Sequence, residues 1–137
     1  MRGTEFRAAL RAAISEKEAQ LLREGHGLPI SAFNRRTLLE LLDGDMPIAE
    51  DVSEVRADAL RQALEAYLAE YLPAQPDAWK WIILSCLYLG PLCRKPLHPQ
   101  DAAGYTAQEA DGKPVYRCPM RTMEPGSVCI FCVCKSM

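Results

Sequence analysis

Cysteines are concentrated at the C-terminal end of the chain, and their spacing limits the structures that this segment can form. Four of the six cysteines fall within the last twenty residues, as Cys118, Cys129, Cys132 and Cys134. A C-x2-C pair places two thiolates close enough to bind one metal ion, and an earlier cysteine adds a third ligand of a tetrahedral set. The pattern therefore predicts that this segment folds around a metal ion, with zinc the first choice.

The fourth ligand has three candidates. His98 is the first choice, because a Cys3His set closes a structural zinc site. Cys93 and Cys134 are the alternates, and Cys134 would lie on the same side of a strand as Cys132. An all-cysteine set would equally suit an iron–sulfur cluster, and its members would be Cys93, Cys118, Cys129 and Cys132.

Composition narrows the class of protein. The chain has 137 residues, long enough for one hydrophobic core, and we expect a single domain. Its 16 basic and 18 acidic side chains nearly balance, and residues 91–137 hold six basic and four acidic ones. This is far from the dense positive charge of nucleic-acid-binding proteins, so nucleic acid is not an expected partner.

The chain carries no sequence signal for export or for a membrane. Residues 1–6 lack the hydrophobic core of a signal peptide, and the longest uncharged apolar stretch, residues 81–93, is too short to span a bilayer. We therefore expect a cytoplasmic protein with no membrane association. In that reducing compartment, clustered cysteines favour metal binding over disulfides.

The first two thirds of the chain show the hydrophobic spacing of helices. Apolar residues recur at helical intervals over residues 4–24, from about 31 to 43, and over 50–72. Thr4 is expected to cap the first of these helices, and either Ser31 or Asn34 the second.

Residues 78–89 are apolar almost all round, which indicates a buried central helix. Asp77 is expected to cap this helix, and Gly90-Pro91 to end it. Cys86 lies in its middle and is predicted to be a core residue. The predicted fold class is therefore mainly α, a helical bundle around one buried apolar helix.

Residues 93–137 have a different character, with few aliphatic side chains and no helical period. Asp111-Gly112 predicts a turn, and residues 115–117 and 128–130 predict short strands. Burial of so few apolar residues would hardly offset the conformational entropy that the segment loses when it folds. A bound metal would supply the missing stabilisation. Within the single domain we therefore expect a helical bundle over 1–92 and a small, irregular, Cys/His-rich metal-binding module over 93–137 packed on it.

Three short motifs follow one another in this C-terminal third: Lys95-Pro96-Leu97-His98-Pro99, then Tyr116-x-Cys118-Pro119-Met120-Arg121, then Cys129-x-Phe131-Cys132. In order, rough spacing and residue type they resemble domain of unknown function 2115, a family of uncharacterised proteins best known from methanogenic archaea. The resemblance implies a mainly helical protein with a Cys-rich, metal-binding C-terminus, and it implies no activity. It nominates a shared ligand set of His98, Cys118, Cys129 and Cys132.

Two functions are compatible with these features. The first is a non-enzymatic zinc protein whose metal site holds the C-terminal segment and presents a surface to a protein partner. The second is an iron–sulfur protein, or a zinc protein with an open coordination position, that has a redox or catalytic role. The sequence contains no nucleophile–base pair that names a reaction, so whether the chain is an enzyme stays open.

Overall fold

The computed structural model describes residues 1–122, 124 and 126–137, and it is mostly helical, which confirms the mainly α prediction. The main helices in chain order are α1 (Gly3–Ala12), α2 (Glu16–Glu24), α3 (Ala32–Asp43), α4 (Glu54–Tyr71) and α5 (Pro76–Leu87). The smaller elements that follow are a π-helical turn (Tyr88–Leu92), α6 (Gln100–Ala103), strands β1 (Thr106–Ala110) and β2 (Lys113–Arg117), and a 3₁₀ helix (Val128–Phe131). Among the described residues, no helix has both the length and the apolar character needed to cross a membrane.

Helix α5 lies at the centre and packs against both α3 and α4. Trp81, Leu84 and Cys86 are buried on it, as its apolar sequence predicts. The start of the helix differs from the prediction, because Gln75 is the N-cap and Asp77 lies in the first turn. Pro76 suits the first helical position, because a backbone N–H there would have no hydrogen-bond partner within the helix.

Gly90-Pro91 do not end this helix as predicted. The chain continues through the π-helical turn, in which the Cys93 N–H donates to the Tyr88 carbonyl at 3.0 Å. This wider turn accommodates a proline whose ring and missing N–H would break a regular α-helix. The turn delivers the chain directly into the C-terminal segment, still packed against the bundle.

The single helix predicted over residues 4–24 is wrong, because the chain forms two helices there. Ser15 starts α2 with a capping box, in which its Oγ accepts from the Glu18 N–H at 3.1 Å and Glu18 Oε1 accepts from the Ser15 N–H at 3.0 Å. Lys80 of α5 then pairs with Glu18 at 2.9 Å, which ties α2 to the central helix. The two hydrogen bonds of the capping box start a new helix at Ser15, although the helical spacing of apolar residues continues through this position.

The other helix starts follow ordinary capping rules. Ser31 caps α3 as predicted, since its Oγ accepts from the Asn34 N–H at 3.1 Å. Ser53 caps α4 in the same way, so this helix begins later than the predicted residue 50. Thr4 is not a cap, because α1 begins at Gly3 with Arg2 as N-cap and no side-chain capping bond.

Strands β1 and β2 form an antiparallel ribbon whose turn, Asp111-Gly112, has positive φ at both residues. This confirms the predicted turn and the predicted strand over 115–117. The predicted strand over 128–130 is wrong: these residues form the 3₁₀ helix, with Ser127 Oγ accepting from the Cys129 N–H. The 3₁₀ helix contacts α4, and Leu97 and Val128 join the same hydrophobic core as the helices.

The first turn of α1 supplies a test of the packing. A Cβ on Gly3 would lie 1.8 Å from the Ala49 carbonyl oxygen. We expect Gly3→Ala to lower the free energy of unfolding by roughly 1–3 kcal/mol through overpacking, although alanine is the better helix former. Urea denaturation measures this, and Thr4→Ala, at an exposed neighbour, should stay within about 0.5 kcal/mol of the parent. Equal stability of the two variants would contradict the close packing at Gly3.

Candidate metal centre

One cavity collects all four of the preferred ligand candidates. It measures about 250 Å³, and its lining includes His98, Cys118, Cys129, Cys132 and also Cys134. Among the residues that the structure describes, no group of three or more His, Cys, Asp or Glu side chains is already arranged to hold a metal ion. The structure therefore shows a shared cavity lined by donor atoms and does not show a formed ligand cage.

Cys118 reaches the cavity from the end of β2. Its backbone carbonyl accepts from the Arg121 N–H at 3.3 Å, which closes a tight turn over Pro119 and Met120. Proline fits this turn because it has no N–H that needs a partner. The buried Cys118 thiol lies 3.8 Å from the Ala103 carbonyl, a weak hydrogen bond.

Cys129 and Cys132 reach the cavity from a second tight turn. The Cys132 N–H donates to the Cys129 carbonyl at 3.2 Å, and Ser127 caps the start of the turn. Both thiols line the cavity, as expected of a C-x2-C pair.

Cys134 is placed by backbone pairing with β2. The Cys118 N–H donates to the Lys135 carbonyl at 2.8 Å, and the Lys135 N–H donates to the Tyr116 carbonyl at 2.9 Å. This parallel bridge lays the C-terminus beside β2 and leaves Cys134 only 1% exposed. Burial, with a smaller contribution from the neighbouring Cys132, raises the pKa of the Cys134 thiol to about 12.

His98 lies at the mouth of the same cavity and is exposed to solvent. It also lines a larger cleft of about 740 Å³ between α3 and the C-terminal segment. Partial desolvation lowers the pKa of His98 below its ordinary value. The imidazole is therefore neutral near pH 7, the form in which histidine binds metals.

The remaining two cysteines do not line this cavity. Cys93 lies beside Tyr88, whose hydroxyl donates to Glu40 Oε1 at 2.9 Å, and burial raises the pKa of the Cys93 thiol. Cys86 is in the core, as predicted, and burial raises its pKa to about 12. The structure thus separates the alternate Cys93 from the other candidates and brings the alternate Cys134 to them.

Arg121, the last residue of the second sequence motif, also lines the cavity. Its Nε is buried and has no hydrogen-bond partner among the described residues. A buried guanidinium N–H without an acceptor is costly, and a thiolate is a suitable acceptor. The donor set and this unpaired donor together fit a bound metal, which would hold the neighbouring cysteines as thiolates. Only the position of Arg121 in the Cys-Pro-x-x turn could have suggested this role.

One comparison with known proteins agrees with the motifs in finding similarity to an uncharacterised archaeal protein. The chain is similar to a UPF0305 protein of Methanocaldococcus jannaschii, with 31% identity over an alignment of 98 positions that covers 64% of this chain. The match covers 56% of that relative, so the chain spans little more than half of its length. The match to this relative supports a resemblance to an uncharacterised archaeal family, while membership of domain of unknown function 2115 itself stays a prediction. In the other two comparisons, no family model and no solved structure matches the chain.

Burial predicts an order of thiol reactivity in the metal-free protein. At about pH 8, a thiol of pKa about 12 is ionised in roughly one molecule in 10⁴, so almost none of it is the reactive thiolate. We therefore expect iodoacetamide to modify Cys86 and Cys134 far more slowly than the half-buried Cys129, as peptide mass spectrometry would measure. In urea, all six cysteines should react alike. Equal labelling of Cys134 and Cys129 in the folded protein would contradict the burial of Cys134.

Proposed function

We propose that the chain is a zinc-binding protein whose metal site is mainly structural and presents an interaction surface to a protein partner. The observation that carries this proposal is the convergence of four thiols and one imidazole on a single cavity. Sulfur-rich donor sets with one imidazole favour zinc among the common metals. Cys118, Cys129 and Cys132 would supply three ligands, and the fourth would be His98 or Cys134.

The small number of buried residues in the ribbon of the C-terminal segment supports a structural role for the metal. Every residue of β1 is exposed, and β2 has only two half-buried residues. A bound zinc would cross-link the turns after β2 and around the 3₁₀ helix, which come from separate parts of this segment. Metal binding would then contribute directly to the folding of the segment.

The surface beside the cavity is where a partner would bind. Pro119 and Met120 are exposed on the Cys118 turn, and Met120 is 69% exposed. An exposed methionine adapts to different apolar partners because its side chain is flexible. A metal that fixes the turn would also fix the direction of this side chain.

A second candidate function is an iron–sulfur or open-site zinc protein with a redox or catalytic role. It is favoured by the number of potential ligands, because five Cys and His side chains line the cavity and a tetrahedral zinc site uses four. The position of His98 between this cavity and the larger cleft would give a bound molecule access to the site.

Metal content separates the two candidates. We expect protein purified without oxygen to be colourless and to contain about one zinc per chain, because zinc has a filled d shell. Iron with sulfide and a brown absorbance would favour the second candidate. Visible spectroscopy with zinc, iron and sulfide analysis gives the answer, and protein without any metal would overturn both.

Removal of one central ligand tests the structural role. Cys129→Ser is expected to lose zinc and to make residues 93–137 sensitive to protease, since structural zinc contributes roughly 10–16 kcal/mol in small modules. Cys93→Ser is the matched control, a half-buried cysteine outside the cavity, and should retain one zinc. A Cys129→Ser protein with unchanged zinc content and melting temperature would disprove the structural site.

A further inference from the structure

We propose that Cys134, and not His98, completes the metal site. The ligands would then be four sulfurs, and His98 would remain free at the mouth, facing the larger cleft. This inference rests on the proposed function, because it presumes that a metal binds in the cysteine cavity. The proposed ligand set is Cys118, Cys129, Cys132 and Cys134.

Backbone pairing places Lys135, the residue after Cys134, beside Arg117, the residue before Cys118. Two hydrogen bonds on either side of Lys135, at 2.8 and 2.9 Å, pair the C-terminus with the end of β2. Backbone pairing of this kind fixes where the neighbouring side chains begin, and it leaves the Cys134 side chain at the cavity. His98 has no such pairing with the cysteine-bearing turns among the backbone hydrogen bonds of the described residues.

Cys134 lines the same cavity as Cys118 and as Cys132, which lies two residues before it in the chain. In a tetrahedral site with zinc–sulfur bonds of about 2.3 Å, neighbouring sulfurs lie about 3.8 Å apart. A metal bound in this cavity would replace the thiol protons and bind both sulfurs.

Burial also distinguishes the two candidates for the fourth ligand. Cys134 is 1% exposed, whereas His98 is exposed at the cavity mouth. A metal held by the four cysteine sulfurs would leave the imidazole without a metal bond. His98 would then be available to a molecule in the cleft, together with the charged side chains of Arg36, Glu40, Lys95 and Asp101.

Charge balance supports an all-sulfur set. Four thiolates around one zinc carry more negative charge than three thiolates and a neutral histidine, and buried negative charge needs compensation. Arg121 lines the cavity with a buried Nε that has no hydrogen-bond partner among the described residues. Its guanidinium would donate to a thiolate and offset part of that charge, as partners of metal ligands commonly do.

Cobalt substitution tests the ligand set directly, because each thiolate adds near-ultraviolet charge-transfer absorbance to bound cobalt. The full chain is loaded with Co²⁺ without oxygen and compared with its variants His98→Ala and Cys134→Ser. We expect His98→Ala to leave the cobalt spectrum and the affinity unchanged. Cys134→Ser should lose about a quarter of the charge-transfer intensity and bind the ion at least about tenfold more weakly. Cys93→Ser, outside the cavity, is the control that should match the parent chain.

The outcomes distinguish this inference from the proposed function. If His98→Ala changes the spectrum and weakens binding while Cys134→Ser does neither, the inference is overturned and the metal site stands. If both variants weaken binding, His98 is a ligand and the inference is also overturned. A parent chain that binds neither cobalt nor zinc overturns the proposed function itself. Because His98 is exposed, its variant should fold, and its spectrum decides the question even if Cys134→Ser does not fold.

Discussion

The burial of α5 and of the π-helical turn that prolongs it is the constraint on which the rest of the structure depends. Tyr88, at the start of this turn, is fully buried, and its hydroxyl finds an acceptor in Glu40 of α3. At the end of the turn, the Leu92 carbonyl accepts from the Ala49 N–H at 2.7 Å. One turn thus contacts the loop after α3, satisfies a buried hydroxyl and directs the chain towards the candidate metal centre.

Local sequence signals placed most of the helices because hydrophobic period and capping act over a few residues. They failed where two local signals competed. The Ser15–Glu18 capping box divides an otherwise continuous helical period, and Gly90-Pro91 enters a π-helical turn instead of ending the helix. Residues 128–130 have the composition of a strand, yet the Ser127 cap and the C-x2-C turn favour a 3₁₀ helix.

The candidate site was predictable in part for a similar reason. The C-x2-C spacing identifies Cys129 and Cys132 because both ligands belong to one turn. The place of Cys134 depends on Lys135 pairing with β2, a contact between residues about twenty positions apart that no short motif encodes. The motif includes Arg121, but that its side chain lines the cavity depends on the turn after Cys118.

The cysteine-lined cavity and the larger cleft share part of their backbone. Tyr116 lines the cleft, while its carbonyl accepts from Lys135, and Cys118 lies two residues further along. His98 lies on both, so the two sites share a side chain as well as a strand. A metal that fixes Cys118 and Cys134 would also fix the pairing that carries Tyr116, since the same hydrogen bonds hold both. The shape of the cleft would then depend on the metal even if the metal never touches a molecule bound there, which reconciles a structural metal with a functional surface beside it.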